Sequence, residues 1–171
     1  LDEHDAPALK HCLAAAALGH VDGQIIMAFV HAEGCLGVQT NPKAAVSSWL
    51  KAAHAGSAFA QDELGLCYEQ GNGVDKKQAL AVKYFRMSAA QGHKGGQVQL
   101  GKWYMLGTGV ERNPALAVSL FRKSAEQGCS TGMTNLGTSY HQGDGVDRNN
   151  GMAVLWWTLA AEQDDPTAKY A

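Results

Sequence analysis

His11 and Cys12 adjoin, with His4 and His20 within reach, and imidazole and thiolate together could hold a transition metal. Trp156-Trp157 offers a possible stacking platform, and Asp2-Glu3 and Asp164-Asp165 form short acidic runs. Gly-x-Gly-Val strips recur, but no strand pattern precedes them, so they are not dinucleotide fingerprints. The chain has no Gly-x-x-x-x-Gly-Lys-Ser/Thr phosphate loop, no His-Glu-x-x-His and no Cys-x-x-Cys. Catalysis needs an acid, a base or a nucleophile that converge, and every candidate here has a packing explanation. No catalytic residue, metal ligand or cofactor site is therefore expected, and the chain reads as a non-enzyme.

The elements that would position these groups follow from a period. Gly56, Gly92 and Gly128 are 36 residues apart, as are Gly65/Gly101/Gly137, Gly71/Gly107/Gly143 and Gly73/Gly109/Gly145. Leu64/Leu100/Leu136, Tyr68/Tyr104/Tyr140, Val74/Val110/Val146 and Ala81/Ala117/Ala153 keep the same register. An aromatic recurs at Trp49, Phe85, Phe121 and Trp157. A period of this length marks a solenoid or array.

Each period holds two helices. In 58–71, Ala60, Leu64, Gly65 and Tyr68 share one face of a 3.6-residue helix, helix A, and Gly71 stands where a left-handed C-cap favours glycine. Helix B opens at Asn41-Pro42, Asn113-Pro114 and Asn149, where Asn caps free N–H groups and Pro suits the first turn. Lys77 fills that slot in one repeat, so its helix B should start less sharply. In the first repeat His31 replaces the Tyr, as a packed, hydrogen-bonded histidine. One extra residue lies in its turn, Gly34-Cys35-Leu36-Gly37-Val38. Register assigns Cys12 and Trp157 to the core aromatic slot, leaving Trp156 as the surface aromatic.

The expected fold is all-α: a right-handed α-solenoid superhelix of helix-turn-helix repeats. Residues 1–18 read as a partial helix B. Repeats follow at 19–55, 56–91, 92–127 and 128–163, and 164–171 open a further one. An array that begins and stops within a repeat is expected to belong to a longer protein, with end-to-end self-association as a possible consequence.

Leu64-Gly65-x-x-Tyr68-x-x-Gly71-x-Gly73-Val74, followed by Ala81, Phe85, Ser88-Ala89-Ala90 and Gly92, resembles the Sel1-like repeat, a cousin of the tetratricopeptide repeat. The match is strong in three repeats and looser in the first. The resemblance implies a binding scaffold, as in adaptors of protein degradation, regulators of cell-wall synthesis and bacterial partner-binders. It departs from the disulfide-stapled branch, because Cys12, Cys35, Cys67 and Cys129 fall at four unrelated register positions. Free thiols are expected, which favours a reducing compartment without assigning one.

Of the 171 residues, 14 are Lys or Arg and 16 are Asp or Glu, a net charge of −2 that argues against nucleic-acid binding. The longest apolar runs, 13–18 among them, are six residues, far below the roughly 20 residues of a membrane span. The expected partner is a protein or peptide held on the concave A-helix face, against an alternative of a small-molecule or cell-wall ligand, or an enzymatic groove, between repeats. By analogy with tetratricopeptide helix pairs, three columns face that concavity: Ile25, Asp62, Val98 and Thr134; Phe29, Leu66, Lys102 and Thr138; and Ala32, Glu69, Met105 and His141. None of the three repeats, whereas the packing columns beside them do. Arg86 and Arg122 lie on the convex helix-B side.

Overall fold

The computed structural model describes residues 5–164. The described chain is helical throughout: α1 (Asp5–Ala17), α2 (Val21–Glu33), α3 (Pro42–His54), α4 (Ala58–Gln70), α5 (Gln78–Ala90), α6 (Lys94–Leu106), α7 (Pro114–Glu126), α8 (Ser130–Gln142) and α9 (Asn150–Asp164). Helices α2, α4, α6 and α8 are A helices, and the odd-numbered ones are B helices. Asp2, Glu3, His4 and the opening of a further repeat beyond 164 lie outside the described residues.

Helix boundaries follow from capping chemistry. Asn41, Asn113 and Asn149 each accept a backbone N–H three residues on, at 3.0–3.1 Å. Lys77 has no side-chain acceptor, yet α5 begins at the same register position. The Lys77 carbonyl takes the first bonds, from the Leu80 and Ala81 N–H groups. A helices end on left-handed glycines at Gly34, Gly71, Gly107 and Gly143. The Tyr68, Tyr104 and Tyr140 carbonyls then accept the N–H of the residue that opens the next B helix, as does the carbonyl of His31. The second glycine of the turn has a different duty. At Gly73, with φ +73°, a Cβ would sit 2.3 Å from the Pro42 carbonyl oxygen, so only glycine lets the turn lie against the start of α3. Gly145 meets Pro114 in the same way.

The chain divides into two compact units between Tyr84 and Phe85, within α5. In the first unit α2 packs most extensively on α3, while α1 packs on α2 and α3 on α4. Its core joins Ala28, Val46, Trp49, Ala52, Ala60 and Leu64. Tyr68 and Tyr84 stack with their planes 2° apart. Buried Gln61 donates from Nε2 to the Ala53 carbonyl, satisfying the end of the preceding helix.

In the second unit α6 packs on α7 and α8 on α9, with α7 against α8. Ala117, Val118, Phe121, Met133 and Leu136 form its core. The Leu-Gly pair of the period is explained here. A Cβ on Gly101 would approach the Phe121 ring to 2.5 Å, so the glycine makes room for the aromatic of the next helix. Buried Ser124 donates to the Lys94 carbonyl at 3.0 Å, and beside it Gly132 leaves no room for a Cβ.

Four side chains differ from expectation. His31 packs in the Tyr slot, but its buried Nδ1 has no hydrogen-bond partner among the described residues. Cys12 is half-buried rather than core. The tryptophans exchange roles: Trp156 packs against the core, while Trp157 is 36% exposed. No described helix follows α9 to cover Trp157 as α8 covers Phe121, and Val154, equivalent to buried Val118, is exposed for the same reason.

Candidate partner-binding face

Side chains on two successive A helices and the B helix between them enclose a niche. In the second unit α6 and α8 form the walls and the buried ring of Phe121 on α7 the floor. The cavity has about 230 Å³ and is lined by Lys102, Met105 and Leu106 from α6 and Asn135, Thr138, Ser139 and Gln142 from α8. In the first unit α2 and α4 enclose a niche of about 130 Å³ over Trp49, lined by Phe29, Ala32, Glu33, Glu63 and Cys67, with Pro42, Ala45 and Asn72 at its edge.

The two niches correspond in register. Phe29 corresponds to Lys102, Ala32 to Met105, Glu33 to Leu106, Glu63 to Asn135 and Cys67 to Ser139. The floor stays aromatic while the walls change character. In the first unit Phe29, 40% exposed, lies edge-on to Trp49 at 5.1 Å and tilted against Phe59 at 5.7 Å. Burial raises the pKa of Glu63. The Cys67 thiol, one turn further along α4, is pushed up to about 11 by burial and then by the Glu63 charge. At neutral pH it is a protonated, unreactive thiol.

The expected contact residues divide accordingly. Lys102, Met105 and Thr138 come together around one cavity, and Phe29 and Ala32 around the other. Ile25 is half-buried against the core of its unit, and Leu66 and Glu69 are half-buried on α4. Asp62 and Val98 are 6% and 3% exposed, so their side chains are packing groups rather than contact groups. Both lie one turn before a residue of the neighbouring column and point into the helix stack. Thr134 is exposed, with its hydroxyl bonded to the Ser130 carbonyl. His141 lies at the surface with its ring 5.6 Å from Trp157, and its Nδ1 lies 3.2 Å from Asn150 Oδ1. Glu33, Glu63, Leu106 and Asn135 were not among the expected residues. Their columns also fail to repeat, and that was the available signal. Arg86 and Arg122 serve packing: each donates to a tyrosine hydroxyl of the next A helix, Tyr104 at 3.2 Å and Tyr140 at 2.9 Å.

Among the described residues no three His, Cys, Asp or Glu side chains gather to hold a metal. All four cysteines are free thiols. No described helix is long and apolar enough to cross a membrane.

A helical array whose packing positions repeat while its surface positions vary defines the class of α-solenoid repeat proteins. The Sel1 repeat model matches residues 58–93, 95–129 and 130–165. The chain belongs to the Sel1 repeat family, whose members are known for protein–protein interaction and are in general non-enzymatic scaffolds. It is similar to c5321, a protective antigen of uropathogenic Escherichia coli strains displaying an SLR fold, with 33% identity, 94% of this chain and 34% of that one covered, and a TM-score of 0.84. It is also similar to a Sel1 repeat protein from Oxalobacter formigenes, with 30% identity, 90% and 62% covered, and a TM-score of 0.81. Helicobacter pylori cysteine rich protein B shares the fold at 23% identity, with 76% and 92% covered and a TM-score of 0.58. The chain thus spans about a third of the Escherichia coli protein's length and 62% of the Oxalobacter protein's. No curated protein matches it.

Proposed function

We propose that this chain is a non-enzymatic scaffold that binds a peptide or protein segment through the A-helix face of its units. One observation carries the reading: an equivalent niche recurs in both units with a constant aromatic floor and differing walls. Packing alone would keep the walls as constant as the floor. A surface that reads a partner side chain by side chain would vary them. In the second unit Met105 and Leu106 supply apolar contact beside Lys102, Asn135 and Thr138, a mixture suited to an extended or helical segment with apolar anchors.

A random peptide library displayed on phage, selected against the chain, tests this reading. Selected peptides should lose binding to Met105→Glu and Leu66→Glu variants whose circular dichroism is unchanged. They should keep binding to Lys123→Glu, on the exposed side of α7. Binding that tracks Lys123 and ignores Met105 and Leu66 would overturn the assignment.

A further inference from the structure

The two walls of the first-unit niche carry carboxylates, Glu33 from α2 and Glu63 from α4. Neither has an ion pair or a hydrogen bond among the described residues. Glu63 is partly withdrawn from water, and its raised pKa reflects a charge that the fold itself leaves uncompensated. Phe29 and Trp49 bring aromatic surface to the same cavity. Carboxylates on the walls and aromatic surface beside them attract a cation through ionic and cation–π terms together. The volume, about 130 Å³, suits one amino-acid side chain and is well below the roughly 300 Å³ at which small-molecule sites begin.

We propose that this niche receives the cationic end of one basic side chain, lysine in size, carried by the partner segment. The proposal rests on the A-helix face being the binding face. The second-unit niche is an internal control. There Lys102 stands where Phe29 does, Asn135 where Glu63 does and Leu106 where Glu33 does, so no carboxylate remains on its walls and a cation is repelled.

The test is a titration of the isotope-labelled chain, followed by NMR, with Nα-acetyl-lysine amide and, separately, uncharged Nα-acetyl-norleucine amide. The lysine probe should cause saturable shifts of the Trp49 indole and the Glu33 and Glu63 carboxyl signals, with none at Asn135. The norleucine probe should cause none. Glu63→Gln and Glu33→Gln should each weaken the lysine response by roughly tenfold, the scale of one charge-assisted contact. No saturable shift, equal shifts with norleucine, or equal shifts at Asn135 would each overturn the proposal. A single-residue probe makes no use of the rest of the face. Failure here with peptides still sensitive to Met105→Glu removes only the basic-residue assignment. Phage peptides insensitive to both Met105→Glu and Leu66→Glu remove the binding face itself.

Discussion

Phe121 and Gly101 form a lock whose two halves can be tested together. Phe121 is 1% exposed, and a Cβ on Gly101 would come within 2.5 Å of its ring. Phe121→Ala removes a buried aromatic, which costs about 3–5 kcal/mol. Two local features set the position in that range. The α6 backbone is held by its own hydrogen bonds and cannot collapse inward, which keeps the hollow open. The niche of about 230 Å³ beside Phe121 gives the side chains that line it room to shift into the hollow, which softens the loss. About 4 kcal/mol is the expected value. At about 2–4 °C per kcal/mol for a chain of this size, the melting midpoint should fall by roughly 8–16 °C. Gly101→Ala alone forces its Cβ into the ring, a strain of about 1–3 kcal/mol against a helix-propensity gain of about 1 kcal/mol. In the Phe121→Ala background the strain is gone and only the gain remains. Gly101→Ala should therefore change sign, from neutral or destabilising to stabilising by about 1 kcal/mol. Denaturant unfolding of the four proteins, followed by circular dichroism, measures the cycle. Additive effects, or a Phe121→Ala midpoint equal to that of the parent, would refute the lock.

Three other outcomes follow from single sites. Lys77→Asn supplies the cap that α3, α7 and α9 already have and should stabilise the chain by about 1 kcal/mol in the same unfolding assay. Gly73→Ala should destabilise more than Gly71→Ala, because the first meets the Pro42 carbonyl and the second only the flexible Lys76 side chain, although both have positive φ; comparing their melting midpoints checks this. The folded Cys67 thiol has its pKa raised from an ordinary 9.0 to about 11, so its contribution to stability is whole below pH 9 and is lost as pH rises from 9 to 11. Cys67→Ala should flatten that part of the stability profile, and at pH 8 a maleimide should label exposed Cys35 well before Cys67.

The fold was legible because its determinants are local and periodic. Asn41, Asn113 and Asn149 mark helix starts, Gly34, Gly71, Gly107 and Gly143 mark helix ends, and the Leu-Gly pair announces the ring that packs on it. The lining of the candidate face was only partly legible. Counting from Leu64-Gly65 picked out Phe29, Lys102, Met105 and Thr138, which line cavities between A helices, but it also took in Asp62 and Val98, which the helix stack buries. A helical wheel gives direction; depth depends on what stands opposite, and that is a tertiary property. The same limit applies to Trp157, whose slot is core only where a following helix covers it. Glu63 and Asn135 escaped because their column, next to the packing leucine, is not one of the three that the tetratricopeptide analogy turns toward the concavity.

The turn between α2 and α3 contains one residue more than its counterparts, and Leu36 adopts a φ of +55° to accommodate it. The clamps on either side are unchanged. Gly34 still closes the helix before it, and the Asn41 N–H still bonds the His31 carbonyl, ten residues back instead of the nine that separate Lys77 from Tyr68. The surplus length is taken up between two fixed points and is not passed on to the helix that follows. The chain in this way corrects its own counting errors: an insertion or deletion confined to such a turn changes the outline of one loop and leaves the reading frame of the helices intact. Loop length is therefore a variable that mutation can explore without first having to rebuild the core.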